Sequence, residues 1–233
     1  MKTITCNGYS FLIDETGLGY YWLDMEKGTW EPWTFRLFDR FLHKDTIYID
    51  LGAWMGMTVL YASKLCDRCY AFEPDPVAYG ILRVNIDANN AGNIKTFNEA
   101  IANHDGTLSL GNEHHSLGNA VTRIGTDVDS FQVSCRTLET FFIQEKIDGP
   151  SFIKMDVEGS EEVILKDMGF FERHKPILYL STHTPWFKNQ DEGVETIARV
   201  RSLYKYCLHN DMWEIEVKRG AMGYGGLIFT DNL

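Results

Sequence analysis

The 233-residue chain has no apolar run near the ~20 residues that cross a bilayer. No long apolar segment follows its start, Met1-Lys2-Thr3-Ile4-Thr5-Cys6, so no secretory leader is expected and the default address is the cytoplasm. Positive charge is scarce: 22 Lys and Arg stand against 33 Asp and Glu, a formal net charge of −11. That balance repels phosphate backbones, and no Lys/Arg cluster offsets it, so neither nucleic acid nor membrane is an expected partner. Cysteines are few and odd in number, five in all: Cys6, Cys66, Cys69, Cys135 and Cys207. Their scatter argues against a disulfide framework. Cys66 and Cys69 form one C-x-x-C, but it closes a predicted helix and opens a strand. Zinc would need a second pair or nearby histidines, and a redox pair would normally open a helix. We read both as small core residues.

What is present is an ordinary apolar share of 44% and enough length for one large domain. Residues 1–45 read as an N-terminal extension, with short strands over 9–13 and 19–23 and a helix over 33–43 that Pro32 opens. Residues 46–233 alternate strand and helix. Strands are expected over 47–51, 69–72, 94–97, 151–156 and 176–181, and helices over 56–65, 76–86, 138–144, 161–168 and 194–204. Asp105-Gly106 signals a hairpin between 99–101 and 107–110, and strand-like 131–135 follows a long polar stretch over 111–129. A last antiparallel pair is expected over 213–218 and 226–230, joined by a loop holding Gly220, Gly223 and Gly225. Alternation of this kind gives a mostly parallel sheet covered on both faces, with ligands at the carboxyl ends of the strands. Asp50, Glu73, Ala100, Asp156 and His183 all fall at such ends.

The sharpest signal is Tyr48-Ile49-Asp50-Leu51-Gly52-Ala53-Trp54-Met55-Gly56, a buried strand feeding a glycine-bearing turn into a helix. Such a turn lets backbone N–H groups approach a ligand. It lacks the dinucleotide fingerprint: Trp54 and Met57 stand where that fingerprint has glycines, and a tryptophan there would block a pyrophosphate. Asp50 would repel a pyrophosphate but can pair with a cationic amino-acid head group. Glu73, about twenty residues on in Glu73-Pro74-Asp75-Pro76, can accept both hydroxyls of a ribose. S-adenosylmethionine joins those two chemistries in one molecule.

Four blocks carry a family resemblance: Ile49-Asp50-Leu51-Gly52-Ala53, Ala71-Phe72-Glu73-Pro74-Asp75-Pro76, Ala100-Ile101-Ala102-Asn103 with Asp105-Gly106-Thr107, and Phe152-Ile153-Lys154-Met155-Asp156-Val157-Glu158-Gly159-Ser160-Glu161. Across residues 28–185 the chain resembles the FkbM-type methyltransferases, and the last block is the most specific. The resemblance implies the class I methyltransferase fold, a Rossmann-like α/β architecture whose seven-stranded, mostly parallel sheet has its last strand antiparallel. It implies S-adenosylmethionine as donor, S-adenosylhomocysteine as product, and O-methylation of a hydroxyl on a small molecule or sugar. Carried onto this chain, Asp50, Gly52, Ala53 and Gly56 hold the amino-acid end, Glu73 and Pro74 the ribose, and Glu99 with Ala100 the adenine edge. Trp30-Glu31-Pro32 resembles the family's opening motif, which makes Trp30 and Glu31 substrate-pocket candidates. The chain departs from the pattern at Leu138-Glu139, where Leu-Asp is usual, and in its Tyr- and Trp-rich beginning.

Catalytic candidates are Asp156, Glu158 and His183. Asp156 can hold the methionine ammonium, a substrate hydroxyl or a metal, and Lys154 can pair with one of the acids. Glu158 or Ser160 can equally cap the next helix. His183 can take the hydroxyl proton, since an ordinary imidazole titrates near working pH. His114 and His115 are weaker candidates, His115 as a substrate-pocket residue. With the acids they could bind a divalent ion, but no spacing rule supports this and no metal is expected. Trp30, Trp33, Trp54 and Trp186 are candidates for pocket walls. Two other readings stand: a non-catalytic binding module on the same fold, which would bind donor without turnover, and a nucleotide-sugar or NAD enzyme, which the absent glycines disfavour. A homo-oligomer is compatible with the chain.

Overall fold

The computed structural model describes residues 1–15, 19–111, 118, 123–124, 130–183, 187, 189–209 and 224–233. Expectations for His114, His115, Trp186, Gly220, Gly223, the strand over 213–218 and most of the polar stretch over 111–129 fall outside them.

The chain opens with a hairpin, β1 (Lys2–Cys6) and β2 (Tyr9–Ile13), and two helices, α1 (Gly19–Glu26) and α2 (Pro32–Phe41). The strand expected over 19–23 is therefore the start of α1. Its aromatics suit a strand, but α1 buries Trp22 and Met25 three residues apart on one helical face, which a period of two cannot do. Ile4, Phe11, Ile13, Trp22 and Met25 join Phe35, Phe38 and Tyr61 in one core cluster, so this N-terminal part shares the core of the sheet behind it.

Then come β3 (Ile47–Leu51), α3 (Met57–Leu65), β4 (Arg68–Phe72), α4 (Pro76–Ala88), β5 (Ile94–Phe97), β6 (Ala100–Ile101), β7 (Gly106–Gly111), β8 (Arg123–Ile124) and β9 (Phe131–Arg136). The second half holds α5 (Leu138–Glu145), β10 (Ser151–Met155), α6 (Glu161–Ile164), α7 (Met168–His174), β11 (Ile177–His183), α8 (Gln190–Ser202), β12 (Tyr206–His209) and β13 (Tyr224–Thr230). Seven strands form the main sheet in the order β12-β13-β11-β10-β3-β4-β5. Strands β5, β4, β3, β10 and β11 run parallel, and β13 runs antiparallel to both β11 and β12. This is the seven-stranded, mostly parallel sheet that the family resemblance implies.

Two local expectations fail. Residues 99–101 and 107–110 do not pair with each other: β9 lies between them, parallel to β6 and antiparallel to β7. The turn signal at Asp105-Gly106 is real, but a distant strand took the ladder. The helix expected over 161–168 is broken into α6 and α7, where the Asp167 side chain accepts from the Phe170 N–H and starts a new helix.

The parallel register decides which side chains meet. In β3, Ile47, Ile49 and Leu51 pack into one core cluster while Tyr48 packs into the other, so Asp50 shares the face of Tyr48 beneath α3. Adjacent strands are in register, which places Tyr179, Lys154, Asp50 and Ala71 in one row across four strands. No helix among the described residues is long and apolar enough to cross a membrane.

Gly52 has φ +81°, and a Cβ on it would lie 1.9 Å from the Asp156 carbonyl oxygen. Replacing it with alanine should cost about 2 kcal/mol or more in urea denaturation, from left-handed strain and that collision. Gly80, exposed inside α4 with nothing within 4 Å of a Cβ, is the control. Gly80→Ala should instead gain about 0.5–1 kcal/mol.

Candidate active site

A cleft opens at the carboxyl ends of β3, β4 and β10, enclosing about 1080 Å³ with its mouth included. The β3–α3 turn gives it Gly52, Ala53 and Trp54, the β4 end gives Glu73 and Pro74, and β6 gives Ala100 with the preceding Glu99. Strand β10 and the turn after it give Lys154, Asp156 and Glu158, while Trp30 and Glu31 close it from the start of α2.

Asp50 is not on the cleft wall. Strand parity turns it under α3, where Thr58 Oγ1 (2.6 Å) and the Tyr48 hydroxyl (3.0 Å) donate to its carboxylate. Lys154 Nζ lies 3.5 Å from its other oxygen, and the residue is fully buried. The expectation that Asp50 grips a ligand's ammonium directly is therefore corrected: it grips Lys154. Gly56 also stays off the wall. Its φ of +95° and the 2.7 Å approach of Leu82 to an added Cβ make it a packing glycine.

Lys154 is the centre of the polar network. Its ammonium reaches Asp156 at 3.1 Å and Asp50 at 3.5 Å, and it is almost wholly buried. Burial disfavours its charge, but Asp156, Asp50 and Glu31 outweigh that and raise its pKa. Glu31 caps the approach to α2 with φ +41°, and Thr34 donates to its carboxylate while also meeting the Tyr179 hydroxyl. Burial, then the charge of Asp156, pushes the Glu31 carboxyl up to about 7.

Glu73 is held by two backbone donors, Trp54 N–H at 2.7 Å and Asp75 N–H at 2.9 Å. Each carboxylate oxygen retains acceptor capacity after one such bond. Burial pushes its carboxyl up to about 7. Trp54 takes a left-handed φ of +48°, pinned by that bond and by its indole N–H on the Gly118 carbonyl (3.0 Å). Its ring meets Tyr21 edge-on at 4.9 Å, which brings α1 onto the cleft wall.

Glu99 lines the cleft, but its carboxylate is taken by Arg136, which donates from Nε and Nη2 at 2.6 Å each and lies over the Phe97 ring. The Glu99 side chain is thus engaged by Arg136, not left open to an adenine edge.

His183 is not among the cleft-lining residues; it sits behind Asp156 and Glu158. Its Nδ1 meets Glu161 at 2.8 Å, and its Nε2 faces Glu158 at 3.4 Å and Asp156 at 3.7 Å. Burial opposes its charge, but the three carboxylates overcome this and raise it to about 9. That lies well above the ordinary imidazole expected of a base, and the expectation is corrected accordingly. Burial pushes Glu158 up to about 7, whereas Lys154 and His183 hold Asp156 below the usual carboxyl range against its burial. Of the four tryptophans considered as walls, Trp30 and Trp54 line the cleft and Trp33 does not. Tyr21 escaped notice because its segment read as a strand. Arg136 and Glu161 gain their roles only through long-range contacts, although the position of Glu161 inside the most specific motif was a signal.

Lys154→Met should cost about 3–5 kcal/mol in chemical denaturation, because Asp50 stays buried without its cation. A pH series gives a second check. Folded Glu73 keeps its proton up to about 7, against an ordinary carboxyl value of 4.5. Between those values the folded state holds more protons than the unfolded one, so stability falls as pH rises. The unliganded protein should lose thermal stability across that window, and Glu73→Gln should flatten the loss.

A profile of the methyltransferase FkbM domain matches residues 50–210. Among solved structures, an FkbM methyltransferase from Methylobacillus flagellatus aligns with TM-score 0.51 at 19% identity, over 81% of this chain. This chain spans only 44% of that protein's length. A precorrin-6y C5,15-methyltransferase from Geobacter metallireducens aligns at TM-score 0.46 and 13% identity, over 94% of this chain and 90% of its own. An Aeropyrum pernix fibrillarin in complex with S-adenosyl-L-methionine aligns at 0.44 and 12%, over 80% of this chain and 66% of its own. Those last two scores are too low to carry an argument. No curated protein matches the chain. The profile covers well over half of the residues: the chain belongs to the FkbM methyltransferase domain family.

Proposed function

We propose that this protein is an S-adenosylmethionine-dependent methyltransferase that methylates a hydroxyl group on a small molecule or saccharide, acting in the cytoplasm. The observation that carries the reading is the charge of the cleft. Glu31, Glu73, Glu99, Asp156 and Glu158 line it against one ammonium, Lys154. Arg136 answers Glu99 from outside the lining, and Lys154 is shared among Asp50, Asp156 and Glu31. The remaining acid excess suits a ligand that brings its own positive charge at one end and hydroxyls at the other.

Glu73 and Pro74 would hold the ribose, the carboxylate accepting from its hydroxyls. Gly52 and Ala53 offer the turn backbone to the amino-acid end, with Asp156 facing the ammonium. Ala100 borders the adenine. The donor supplies an electrophilic methyl group, and its transfer to the acceptor oxygen breaks the carbon–sulfur bond and leaves a neutral thioether. Alignment of oxygen, methyl and sulfur supplies most of the acceleration. The acceptor's proton passes to the Asp156–Glu158 pair. Glu158 is the better matched of the two, because its carboxyl lies near neutral pH. His183, behind the pair and bonded to Glu161, positions both carboxylates. Trp30, Trp54 and Tyr21 give flat apolar walls suited to a sugar ring or a sulfonium.

Calorimetric titration with S-adenosylhomocysteine should show one site per chain. Glu73→Ala should weaken it by about 1–3 kcal/mol, the worth of a buried charged hydrogen bond. Mass spectrometry of a panel of hydroxyl compounds should then show gain of one methyl group, reduced at least tenfold in Glu158→Gln. No binding of the thioether to folded protein would remove the reading.

A further inference from the structure

We infer that Asp156, Glu158 and His183 form a divalent-cation site at the wall of the cleft, with Glu161 as the residue that orients the histidine. The inference deepens the reading above and rests on it for the cation's role. It begins with convergence. One ligand atom from each of the three residues lies within 4.8 Å of the other two, from two separate chain segments. Asp156 and Glu158 come two residues apart in the turn after β10, and His183 ends the neighbouring strand β11. Parallel pairing of those strands brings the groups together at one edge.

The second observation is the histidine's back side. Its Nδ1 is bonded at 2.8 Å to Glu161, whose side chain is fully buried, and that carboxylate has no Lys or Arg within ion-pair distance among the described residues. A buried carboxylate on one ring nitrogen fixes the other as the outward ligand and raises its basicity, the arrangement that supports metal-binding histidines. The outward Nε2 faces Glu158 at 3.4 Å and Asp156 at 3.7 Å, longer than a good hydrogen bond. Oε2 of Glu158 is buried and makes no hydrogen bond among the described residues. Separations of this size suit ligands sharing one ion better than groups bonding each other.

Charge gives the same answer. Three carboxylates surround one imidazole, and Lys154 touches only Asp156 among them. A protonated histidine offsets one negative charge; a divalent ion on a neutral imidazole offsets two. Two carboxylates and one imidazole suit Mn²⁺, Mg²⁺ or Zn²⁺ over softer ions. Because Asp156 and Glu158 line the cleft, open coordination positions would face the acceptor. A hydroxyl bound there would be acidified, a task that otherwise falls to the carboxylates alone.

The test uses Mn²⁺ on the full chain, read by electron paramagnetic resonance, with S-adenosylhomocysteine titrated in parallel. One Mn²⁺ per chain should bind. His183→Ala and Glu158→Gln should each weaken it at least tenfold, and Glu161→Gln about 10–100-fold although it does not touch the ion. Asp67→Asn, on the exposed surface, should leave it unchanged. Spin-echo modulation from a directly bound imidazole nitrogen should appear in the unsubstituted protein, so the result stands even if a variant fails to fold. Three outcomes overturn the site: no Mn²⁺ uptake at millimolar concentration, uptake without that nitrogen, or uptake that survives both His183→Ala and Glu158→Gln in folded protein. Retained thioether binding in any of these would leave the donor reading intact, whereas its loss in the unsubstituted protein would sink that reading instead.

Discussion

The Lys154 ammonium, buried between Asp50 and Asp156, is the interaction around which the site is organised. Burying one such charge alone is prohibitive, and burying it between two acids is tolerable only when geometry and further hydrogen bonds are good. Here the register of the parallel pair β3 and β10 brings the charges together. Asp50 and Lys154 are direct cross-strand neighbours, and Asp156 is the first residue past the strand. Tyr48 and Thr58 donate to the rest of the Asp50 carboxylate. The result is a buried polar floor under the cleft.

The N-terminal part builds the opposite wall. The hairpin and α1 bury Phe11 and Trp22 in the core that holds Phe38 and Tyr61, which fixes where α2 begins. That start carries Trp30 and Glu31 into the cleft, and Thr34 links Glu31 toward Tyr179 of β11. Tyr21 reaches the cleft by resting on Trp54. Packing in one place thus decides chemistry in another. The aromatics Tyr21 and Trp30 of the chain's beginning frame one side of the cleft.

At three of the acids that face the cleft, burial outweighs the compensation they receive. Glu31, Glu73 and Glu158 are all pushed to about 7, and in each the leading cause is loss of water around the carboxylate. Asp156 escapes because Lys154 and His183 flank it. Perturbed acids gathered in one cleft are the usual mark of a working site. The same surplus of negative charge underlies the proposals of a cationic donor and of an ion beside it.

Much of the architecture was legible in the sequence. The apolar runs leading to Asp50, Glu73 and Asp156 marked the strands and the neighbourhood of their ends, because a buried parallel strand is mostly apolar. The same runs placed Gly52, Ala53, Glu73, Pro74, Ala100 and Asp156 on one rim, and the motif blocks identified the family. Only the tertiary structure decided what each charge faces. Asp50 turned inward because side chains alternate across a strand, and no spacing along the chain says which face is the cleft. Glu99 was claimed by Arg136 and His183 by Glu161, through contacts spanning 37 and 22 residues. Local pattern carries periodicity, but a charge's partner is set by which strands lie side by side. That order, with β9 entering between β6 and β7 and β10 pairing with β3, is settled by the packing of the whole core.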